Sequence, residues 1–342
     1  MVTRSRRDKV HRVTPPSSLV RIMIDLIAFG IILDDLVFPD GHTVTGTLGG
    51  GGPQTAFGMR LPALAGWAET SSDVGLVAGV GRDFPASARA WLAATGIDLA
   101  GVREAELSTP RAWQMLESDG HRTQVWRIDG RVISAQLGRT LDRIPESYRQ
   151  AKGFHLGIHP DEPDLDFIDQ LRHFPLPGGG RSGEGPVLSL EPFKPADRPL
   201  SDAALRQLCV AADIFSPNVT EAQSLVGSGS PDELIRRLAD AGASIVTLRM
   251  GPEGSLVYAP SVTQIYVPAI PTNVIDPTGA GNAYCGGFLA GYVQTGDVLT
   301  AARYGAVAAS FLVEQVGLPE INERLRTQAG LRLHLLLQQG NG

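Results

Sequence analysis

Residues 276–287 have the sequence Asp-Pro-Thr-Gly-Ala-Gly-Asn-Ala-Tyr-Cys-Gly-Gly, and this stretch is the strongest indicator of fold and function in the chain. It lies between residues 265–275, whose pattern predicts a strand or loop, and residues 282–294, whose pattern predicts a helix. The small residues 279–281 therefore leave backbone N–H groups free at a predicted helix N-terminus, at the positive end of the helix dipole. We expect an anion, most often a phosphate, to bind there.

The composition of the 342-residue chain argues against several classes of function. A net charge of −6 and a pI near 5.7 are unlike a nucleic-acid-binding protein, which normally has a basic face. No apolar run approaches the length of a membrane span. Cys209 and Cys285 are too few and too far apart for a disulfide framework, so we expect an intracellular, cytoplasmic protein. The basic segment 1–18 is typical of a flexible tail or of an organelle transit segment, and both interpretations stay open.

The order of predicted elements indicates one α/β domain over residues 19–338, with a mainly parallel sheet covered by helices on both faces. Residues 175–186, rich in Gly and Pro, predict a surface loop. The predicted strands cover residues 22–29, 30–38, 74–80, 154–158, 187–190, 214–216, 245–248 and 255–258. One predicted helix begins at residue 56. The others cover residues 85–94, 164–172, 202–211, 220–226, 232–241, 282–294, 300–316 and part of 321–338.

Residues 109–127 have a different pattern, which predicts a β-hairpin. Apolar and polar side chains alternate on both sides of an Asp-Gly pair at residues 119 and 120, and Asp-Gly is a preferred hairpin turn. Since no helix is predicted after this hairpin, we expect it to stand apart from the main sheet.

The chain resembles the PfkB/ribokinase family of ATP-dependent small-molecule kinases over nearly all of its length after residue 19. The family's C-terminal signature, D-T-x-G-A-G-D, is matched at Asp276, Gly279, Ala280 and Gly281. It is not matched at Asn282, which stands where the family has its catalytic Asp.

This resemblance implies a ribokinase-like three-layer α/β sandwich with a small β lid formed by strands within residues 33–50 and 108–128. It also implies ATP and Mg²⁺ as cofactors and transfer of the ATP γ-phosphate to a hydroxyl group of a small molecule, which is a sugar, a nucleoside or a related polyol. Lid strands in this family often pair between subunits, so the resemblance offers a homodimer through these strands as one assembly and leaves the oligomeric state open.

Two segments resemble the family's acceptor site. In the run Gly30-Ile-Ile-Leu-Asp-Asp35, the resemblance assigns Asp35 to the substrate hydroxyls, and Asp34 is the neighbour that could exchange with it. A carboxylate suits a polyol because it accepts bonds from two hydroxyls at once. The alternative is an ordinary turn residue at a strand end.

The segment 49–56 is similar to the family pattern G-G-x-x-x-N-x-A, in which glycine lets a substrate approach the backbone closely. The Gly-Gly pair of the pattern falls on Gly49 and Gly50, and Gln54 stands where Asn is usual. The glycines that follow the pair, Gly51 and Gly52, are the candidates for contact with the substrate. The longer amide predicts an acceptor pocket of a different shape. Asp276, next to the predicted phosphate site, is a further candidate for acceptor binding.

Two motifs resemble the family's nucleotide site. Asn218-Val-Thr-Glu221 matches N-x-x-E, which in the family helps to order Mg²⁺ through water and the ATP phosphates; the same spacing is also typical of a helix capping box. Gly251-Pro-Glu-Gly254 resembles a G-x-x-G turn over the nucleotide and is equally compatible with a simple turn between two strands.

His155 and His159 raise the alternative of a zinc site. Their spacing places both rings on one side only in a helix, and Gly157 between them argues against a helix. A role near the substrate or simple packing is the preferred interpretation.

Asn282 leaves two hypotheses open, because an amide cannot accept the proton that the acceptor hydroxyl loses. General-base catalysis typically contributes ~10²–10⁴-fold in rate. The first hypothesis is a slow kinase, with Asp276, Asp35 or Asp34 as replacement bases. The second is a pseudokinase that binds nucleotide or metabolite as a sensor or scaffold. The run D-P-T-G-A-G-N also resembles a divergent branch that includes a fungal maintenance-of-killer protein.

Overall fold

A computed structural model describes residues 24–67, 72–118, 122–174 and 185–339, and strands and helices alternate along them. The strands are β1 Leu26–Phe29, β2 Ile32–Val37, β3 Thr43–Gly49, β4 Val74–Gly81, β5 Val102–Ala105, β6 Arg111–Leu116, β7 Arg122–Trp126, β8 Gly153–Ile158, β9 Val187–Pro192, β10 Ile214–Phe215, β11 Ile245–Arg249, β12 Ser255–Ala259 and β13 Val262–Val267. The helices are α1 Gly51–Leu64, α2 Ala86–Thr95, α3 Gly130–Leu137, α4 Leu165–Arg172, α5 Asp202–Ala211, α6 Val219–Val226, α7 Pro231–Asp240, α8 Ala280–Thr295, α9 Val298–Leu312 and α10 Glu323–Gln339.

The central sheet has the strand order β13-β12-β11-β10-β9-β8-β1-β4-β5. All neighbours from β11 to β5 pair in parallel, and β12 and β13 complete one edge in antiparallel orientation. This confirms the predicted α/β fold with a mainly parallel sheet. Because the parallel strands run the same way, their carboxyl ends meet along one edge of the sheet.

Both faces of the central sheet are buried. In β1, Leu26 and Ala28 pack into one apolar cluster with α1, α8 and α9, whereas Ile27 and Phe29 pack into a second cluster with α4, α5, α6 and α7. Successive side chains of a strand point to opposite faces, so a strand buried on both sides is apolar throughout. The three layers follow from this pattern.

A second sheet, with the order β3-β2-β6-β7, stands apart from the first. Its strands overlap the two ranges that the resemblance assigns to a lid, and the hairpin β6-β7 pairs from Ala112–Trp126 to Leu116–Arg122. The Asp-Gly turn at residues 119 and 120 lies outside the described residues. The expectation that no helix follows the hairpin was wrong, because α3 begins at Gly130 with Asp129 as its N-cap.

Helix α1 begins five residues earlier than the sequence predicts, at Gly51 and not at Ala56. Glycine is a poor helix former, so local propensity does not predict this turn. Nearly every residue from Gly52 to Met59 is buried, and the first turn is stabilised by packing against α8. The start of the helix consequently lies inside the molecule, close to the start of α8.

Other features concern the ends of the chain and the cysteines. Among the described residues, no helix combines the length and apolar character needed to cross a bilayer. Segment 1–18 and most of the predicted loop 175–186 lie outside the described residues. Cys209 and Cys285 are both free and buried.

Candidate phosphate-transfer site

The N-terminus of α8 has the free backbone groups that the sequence predicts. Gly279 is the N-cap, with φ 84° and ψ −5°, a left-handed conformation that favours glycine. Among the described residues, the N–H groups of Gly279, Gly281 and Asn282 have no hydrogen-bond partner. Asp276 holds the preceding loop by accepting a bond from the Thr278 N–H at 2.9 Å. Three amide donors and the helix dipole therefore face one place, which suits an anion.

The N-terminus of α1 lies directly opposite. A Cβ placed on Gly51 would come within 3.4 Å of Asn282 Oδ1, and a Cβ on Gly52 would overlap the carbonyl oxygen of Gly30. Gly50, the N-cap, has φ 76°. The glycines at the start of α1 thus let backbone approach backbone, and the positive ends of two helices meet at Asn282.

Gln54 and Asn282 contact each other. Asn282 Nδ2 donates a hydrogen bond of 2.6 Å to Gln54 Oε1. The Gln54 amide also lies against Gly279, where a Cβ would overlap it. Gln54 is therefore part of the wall of the anion site, and it fixes the orientation of the Asn282 amide.

Asp34 and Asp35 point to opposite faces of β2. Asp34 lies against Gly49, where a Cβ would overlap its Oδ2, and it accepts a bond of 2.8 Å from Gln114 Nε2. Asp35 accepts a bond of 2.7 Å from the Gly46 N–H and forms an ion pair with Arg127. The carboxylate on the side of the α1 glycines is therefore Asp34, one residue from the assigned Asp35.

Burial raises the pKa of Asp34 to about 6, although the bond from Gln114 opposes the shift. Only 3% of Asp34 is exposed. The carboxyl group can thus hold or release a proton near neutral pH, unlike an exposed Asp.

Asn218 and Glu221 form the capping box of α6. The Glu221 N–H donates to Asn218 Oδ1 at 2.9 Å, and the Asn218 N–H donates to Glu221 Oε2 at 2.7 Å. Glu221 Oε1 accepts no bond from the described residues. These contacts leave one carboxylate oxygen for a hydrated Mg²⁺, which fits the indirect role that the resemblance implies. The capping interpretation and the metal interpretation therefore hold together.

Arg249, at the end of β11, was not predicted. Its Nη2 donates to the carbonyl oxygen of Ser216 at 2.8 Å and lies 3.2 Å from Oε2 of both Glu221 and Glu191. A Cβ on Gly281 would overlap Arg249 Nη1, so the guanidinium lies at the start of α8. The only signal in the sequence is a basic residue directly after an apolar strand.

Two carboxylates, Glu221 and Glu191, lie close enough to Arg249 to balance its positive charge. Burial raises the pKa of Glu221 to about 7, with Arg249 opposing that shift. For Glu191, burial alone would raise the pKa, but Arg249 and His155 outweigh it and hold the pKa below its usual value. Glu191 is thus the ionised partner of the guanidinium at neutral pH.

Gly251 and Gly254 lie next to Arg249 along the chain. A 3₁₀ turn, Gly251–Glu253, connects the antiparallel strands β11 and β12, and Gly254 has φ 94°. The Tyr266 hydroxyl donates to the carbonyl oxygen of Glu253 at 2.9 Å. The motif therefore forms the turn between two strands at the sheet edge near the anion site.

The two histidines belong to separate groups. His155 lies with Glu191 and Cys285 in a buried group, whereas His159 lies with Asp161 and Asp197 in a more exposed one. The strand β8 separates the two rings, as Gly157 indicated. The zinc interpretation that needs both rings together does not fit this arrangement.

A cavity of about 250 Å³ lies between α3 and the strands β4 and β5, with Phe29, Gly79, Gln136 and Arg139 among its lining residues. None of the predicted site residues lines it. The candidate anion site lies instead where the starts of α1 and α8 converge.

Fold and geometry together describe an α/β protein with a candidate anion site at a helix N-terminus. The chain belongs to the pfkB family of carbohydrate kinases, whose sequence model matches residues 21–324. It is 30% identical to a cytidine kinase of Thermococcus kodakarensis over 86% of this chain and 98% of that protein. It is 28% identical to a nucleoside kinase of Methanothermobacter thermautotrophicus over 88% of this chain and 94% of that protein.

The fold is similar to that of Arabidopsis thaliana ribokinase, solved in complex with ribose and ATP. The TM-score is 0.65 at 20% sequence identity, and the likeness covers 91% of this chain and 99% of that chain. The ribokinase-like fold predicted from the sequence is thereby confirmed.

Proposed function

We propose that this protein is a kinase that transfers the γ-phosphate of ATP to a hydroxyl group of a nucleoside or a related sugar. The observation that supports it most is the meeting of the α8 start, with its free N–H groups, and the α1 start, beside Asp34. Phosphoryl transfer depends mostly on positioning and on stabilising charge, and both are available here. The similar cytidine and nucleoside kinases favour a nucleoside over a simple sugar.

On the acceptor side, we propose that Asp34 binds the hydroxyl groups, since Asp35 is engaged by Gly46 and Arg127. Gly51 and Gly52 leave room for the acceptor beside the backbone. Asp276, which accepts from Thr278, shapes the loop between the acceptor and the phosphate.

On the nucleotide side, the free backbone N–H groups of Gly279, Gly281 and Asn282 hold the transferring phosphoryl group, and Ala280 lies between them in the first turn of α8. The turn Gly251–Glu253 and Gly254 lie beside the nucleotide. Mg²⁺, when bound, supplies charge neutralisation of the phosphates. Asn218 and Glu221 would hold it through water, with Glu221 Oε1 as the oxygen that the capping box leaves unused.

The proton of the acceptor hydroxyl determines how fast this kinase is. Asn282 Oδ1 lies beside Gly51 and can orient the hydroxyl by accepting its hydrogen bond, but the amide does not take the proton. Of the three replacement bases, Asp34 has the most suitable surroundings, because burial raises its pKa to about 6, whereas Asp35 is held in an ion pair with Arg127. We therefore expect slow turnover.

The second sheet, β3-β2-β6-β7, is proposed to act as a lid over the acceptor. Its outer face exposes 44% of Trp113 and 38% of Val125, so a homodimer through this face is proposed as well. Analytical ultracentrifugation tests the dimer: Trp113→Glu should shift a dimer to monomer, and a monomeric wild type contradicts the proposal.

A catalytically impaired, nucleotide-binding sensor or scaffold is the second candidate function, and Asn282 is the observation that favours it. The resemblance to the fungal killer-maintenance branch points in the same direction.

The experiment is a screen of Mg-ATP-dependent phosphorylation of cytidine, other nucleosides and free pentoses, with Asp34→Asn as the control. A kinase phosphorylates at least one acceptor, and Asp34→Asn raises its KM. The absence of product with every acceptor, together with ATP binding, supports the second candidate.

A further inference from the structure

Arg249 has more donors than the described residues engage. Its Nη2 serves Ser216, Glu221 and Glu191. Its Nε is buried without a hydrogen-bond partner, and its Nη1 donates to none of the described residues. A buried charged donor without an acceptor is costly, and such an orphan in a folded protein indicates an acceptor that the chain itself does not supply.

The free donor lies at the anion site. Arg249 Nη1 occupies the space where a side chain at Gly281 would begin, which only glycine leaves open. The unpaired N–H groups of Gly279, Gly281 and Asn282 surround the same place. A guanidinium and three amide donors therefore converge on it, and each of them prefers an anionic oxygen.

Arg249 also neutralises the negative charge of the two carboxylates beside the site, Glu221 and Glu191. Glu221 Oε2 is held by both Arg249 Nη2 and the Asn218 N–H. Glu191, the other carboxylate, lies 3.2 Å from the same Nη2. A permanent cation, built into the sheet edge, thus neutralises the carboxylates that would otherwise repel a polyphosphate or require a metal ion to shield them.

We propose that Arg249 binds the terminal phosphate of the nucleotide directly, and that the chain consequently binds ADP or ATP even without magnesium. This inference rests on the proposed function, because it needs nucleotide phosphates at the start of α8. Guanidinium groups bind phosphate through two N–H donors and keep their charge at every physiological pH.

The test is the affinity for ADP, measured by isothermal titration calorimetry in magnesium and in EDTA. We expect the wild type to bind in EDTA with a Kd within about tenfold of that in magnesium, since a charge-assisted contact replaces the ion. Arg249→Gln should weaken binding in EDTA roughly 10- to 100-fold. Arg249→Lys keeps the charge and should lose less.

Because Arg249→Gln leaves buried carboxylates unpaired, a second variant keeps the buried charge balanced. Arg249→Gln combined with Glu191→Gln removes one charge of each sign and should fold, while losing ADP affinity in EDTA to the same extent as Arg249→Gln.

Arg332 offers a matched control for the loss of a half-buried arginine. Arg332 lies on α10, and its side chain is 12% exposed, against 13% for Arg249. Its Nη2 lies 2.6 Å from Oε2 of Glu314 in an ion pair. Arg332→Gln should lower the melting temperature but leave both ADP affinities unchanged.

Two results overturn the inference in different ways. In the first result, the wild type does not bind ADP in EDTA, and in magnesium the double variant binds ADP as tightly as the wild type. This result refutes the role of Arg249 and leaves the kinase proposal standing. The absence of ADP binding in both buffers refutes the proposed function itself and the inference with it.

Discussion

Gln54 and Asn282 are far apart in the chain but form one hydrogen-bonded pair in the structure. Their side chains share a hydrogen bond of 2.6 Å, and Gln54 also packs against Gly279. Both amides are neutral, so neither of these two side chains places a negative charge beside the free N–H groups at the start of α8. Neither amide can accept the proton of a hydroxyl group.

The amide pair predicts that charge at residue 54 decides nucleotide affinity. Gln54→Glu keeps the shape and can still accept from Asn282 Nδ2, but it places a negative charge beside Gly279. We expect ADP binding to weaken about tenfold or more, since like charges at ~4 Å cost ~1–4 kcal/mol near a protein surface. Gln207→Glu, on the exposed face of α5, is the control for the same charge change. Equal affinities of the two variants would contradict the assignment.

Asp34 predicts a pH-dependent stability. Its pKa is raised from 3.8 to about 6 in the folded state, so the folded protein binds more protons than the unfolded chain between these values. The free energy of unfolding therefore falls as pH rises through about 6. Relative to Asp34→Asn, the wild type should lose about 2 kcal/mol between pH 4.5 and pH 8. Urea unfolding at the two pH values measures this, and a pH-independent difference would refute it.

Helices α1 and α8 approach each other through glycine. A Cβ on Gly58 would overlap the carbonyl oxygen of Ala283, and a Cβ on Gly286 would overlap that of Thr55. This close packing fixes the distance between the two helix starts, where the acceptor and the phosphate meet. A substitution in the middle of either helix that separates the two helices should therefore also change the distance between their N-termini.

Replacement of glycine by alanine should have opposite effects on the free energy of unfolding at Gly58, inside the α1–α8 contact, and at Gly330, outside it. Gly58→Ala should lower the free energy of unfolding by about 2 kcal/mol or more, because the overlap lies against backbone that does not yield. Gly330→Ala, on the exposed face of α10 with nothing within 4 Å of the added Cβ, should raise it by ~0.5–1 kcal/mol. Chemical denaturation measures both. Similar effects at both positions would contradict the close packing.

Elements with clear periodicity were predictable from the sequence, as α7 illustrates. Its capping box, Ser230 with Glu233, and Pro231 at the first helical position are all present in the structure. The start of α1 was not predictable, because its burial on all sides removes the amphipathic period and its stabilising contacts come from α8.

The site was predictable only where one short segment forms it. The phosphate site at residues 279–281 depends on local backbone, which the sequence shows directly. The choice between Asp34 and Asp35 depends on the pairing of β2, which has an irregular register with β3 after Asp34. Arg249 could not be assigned, because Glu191, Ser216 and Glu221 come from other parts of the chain.

The two sheets of the molecule are connected by the segment that follows α9. Val316 packs against the apolar cluster of the second sheet, Leu36, Phe38 and Leu116. A Cβ on Gly317 would lie 2.9 Å from the Thr47 side chain of β3. This segment therefore holds the proposed lid against the half of the molecule that contains the phosphate site.

The connection predicts that Val316→Asp loosens the lid. A charge placed against Leu36, Phe38 and Leu116 is unfavourable, so the second sheet should be cleaved faster in limited proteolysis. The KM for the acceptor should rise more than the KM for ATP, because the acceptor site includes Asp34 on β2. Val313→Asp, outside this apolar cluster, is the comparison, and an equal effect on both KM values would argue against a lid.

The whole molecule has a ribokinase-like fold, and the rate of the proposed kinase depends on the residue at position 282. The most direct test is therefore to compare the turnover of the natural chain with that of Asn282→Asp. The measurement is the rate of Mg-ATP-dependent phosphorylation of cytidine and the other acceptors, with a reaction lacking protein as background. We predict measurable turnover by the wild type and a gain of ~10²–10⁴-fold for Asn282→Asp. Wild-type turnover at background, with an active Asn282→Asp variant, would contradict a kinase function for the natural chain.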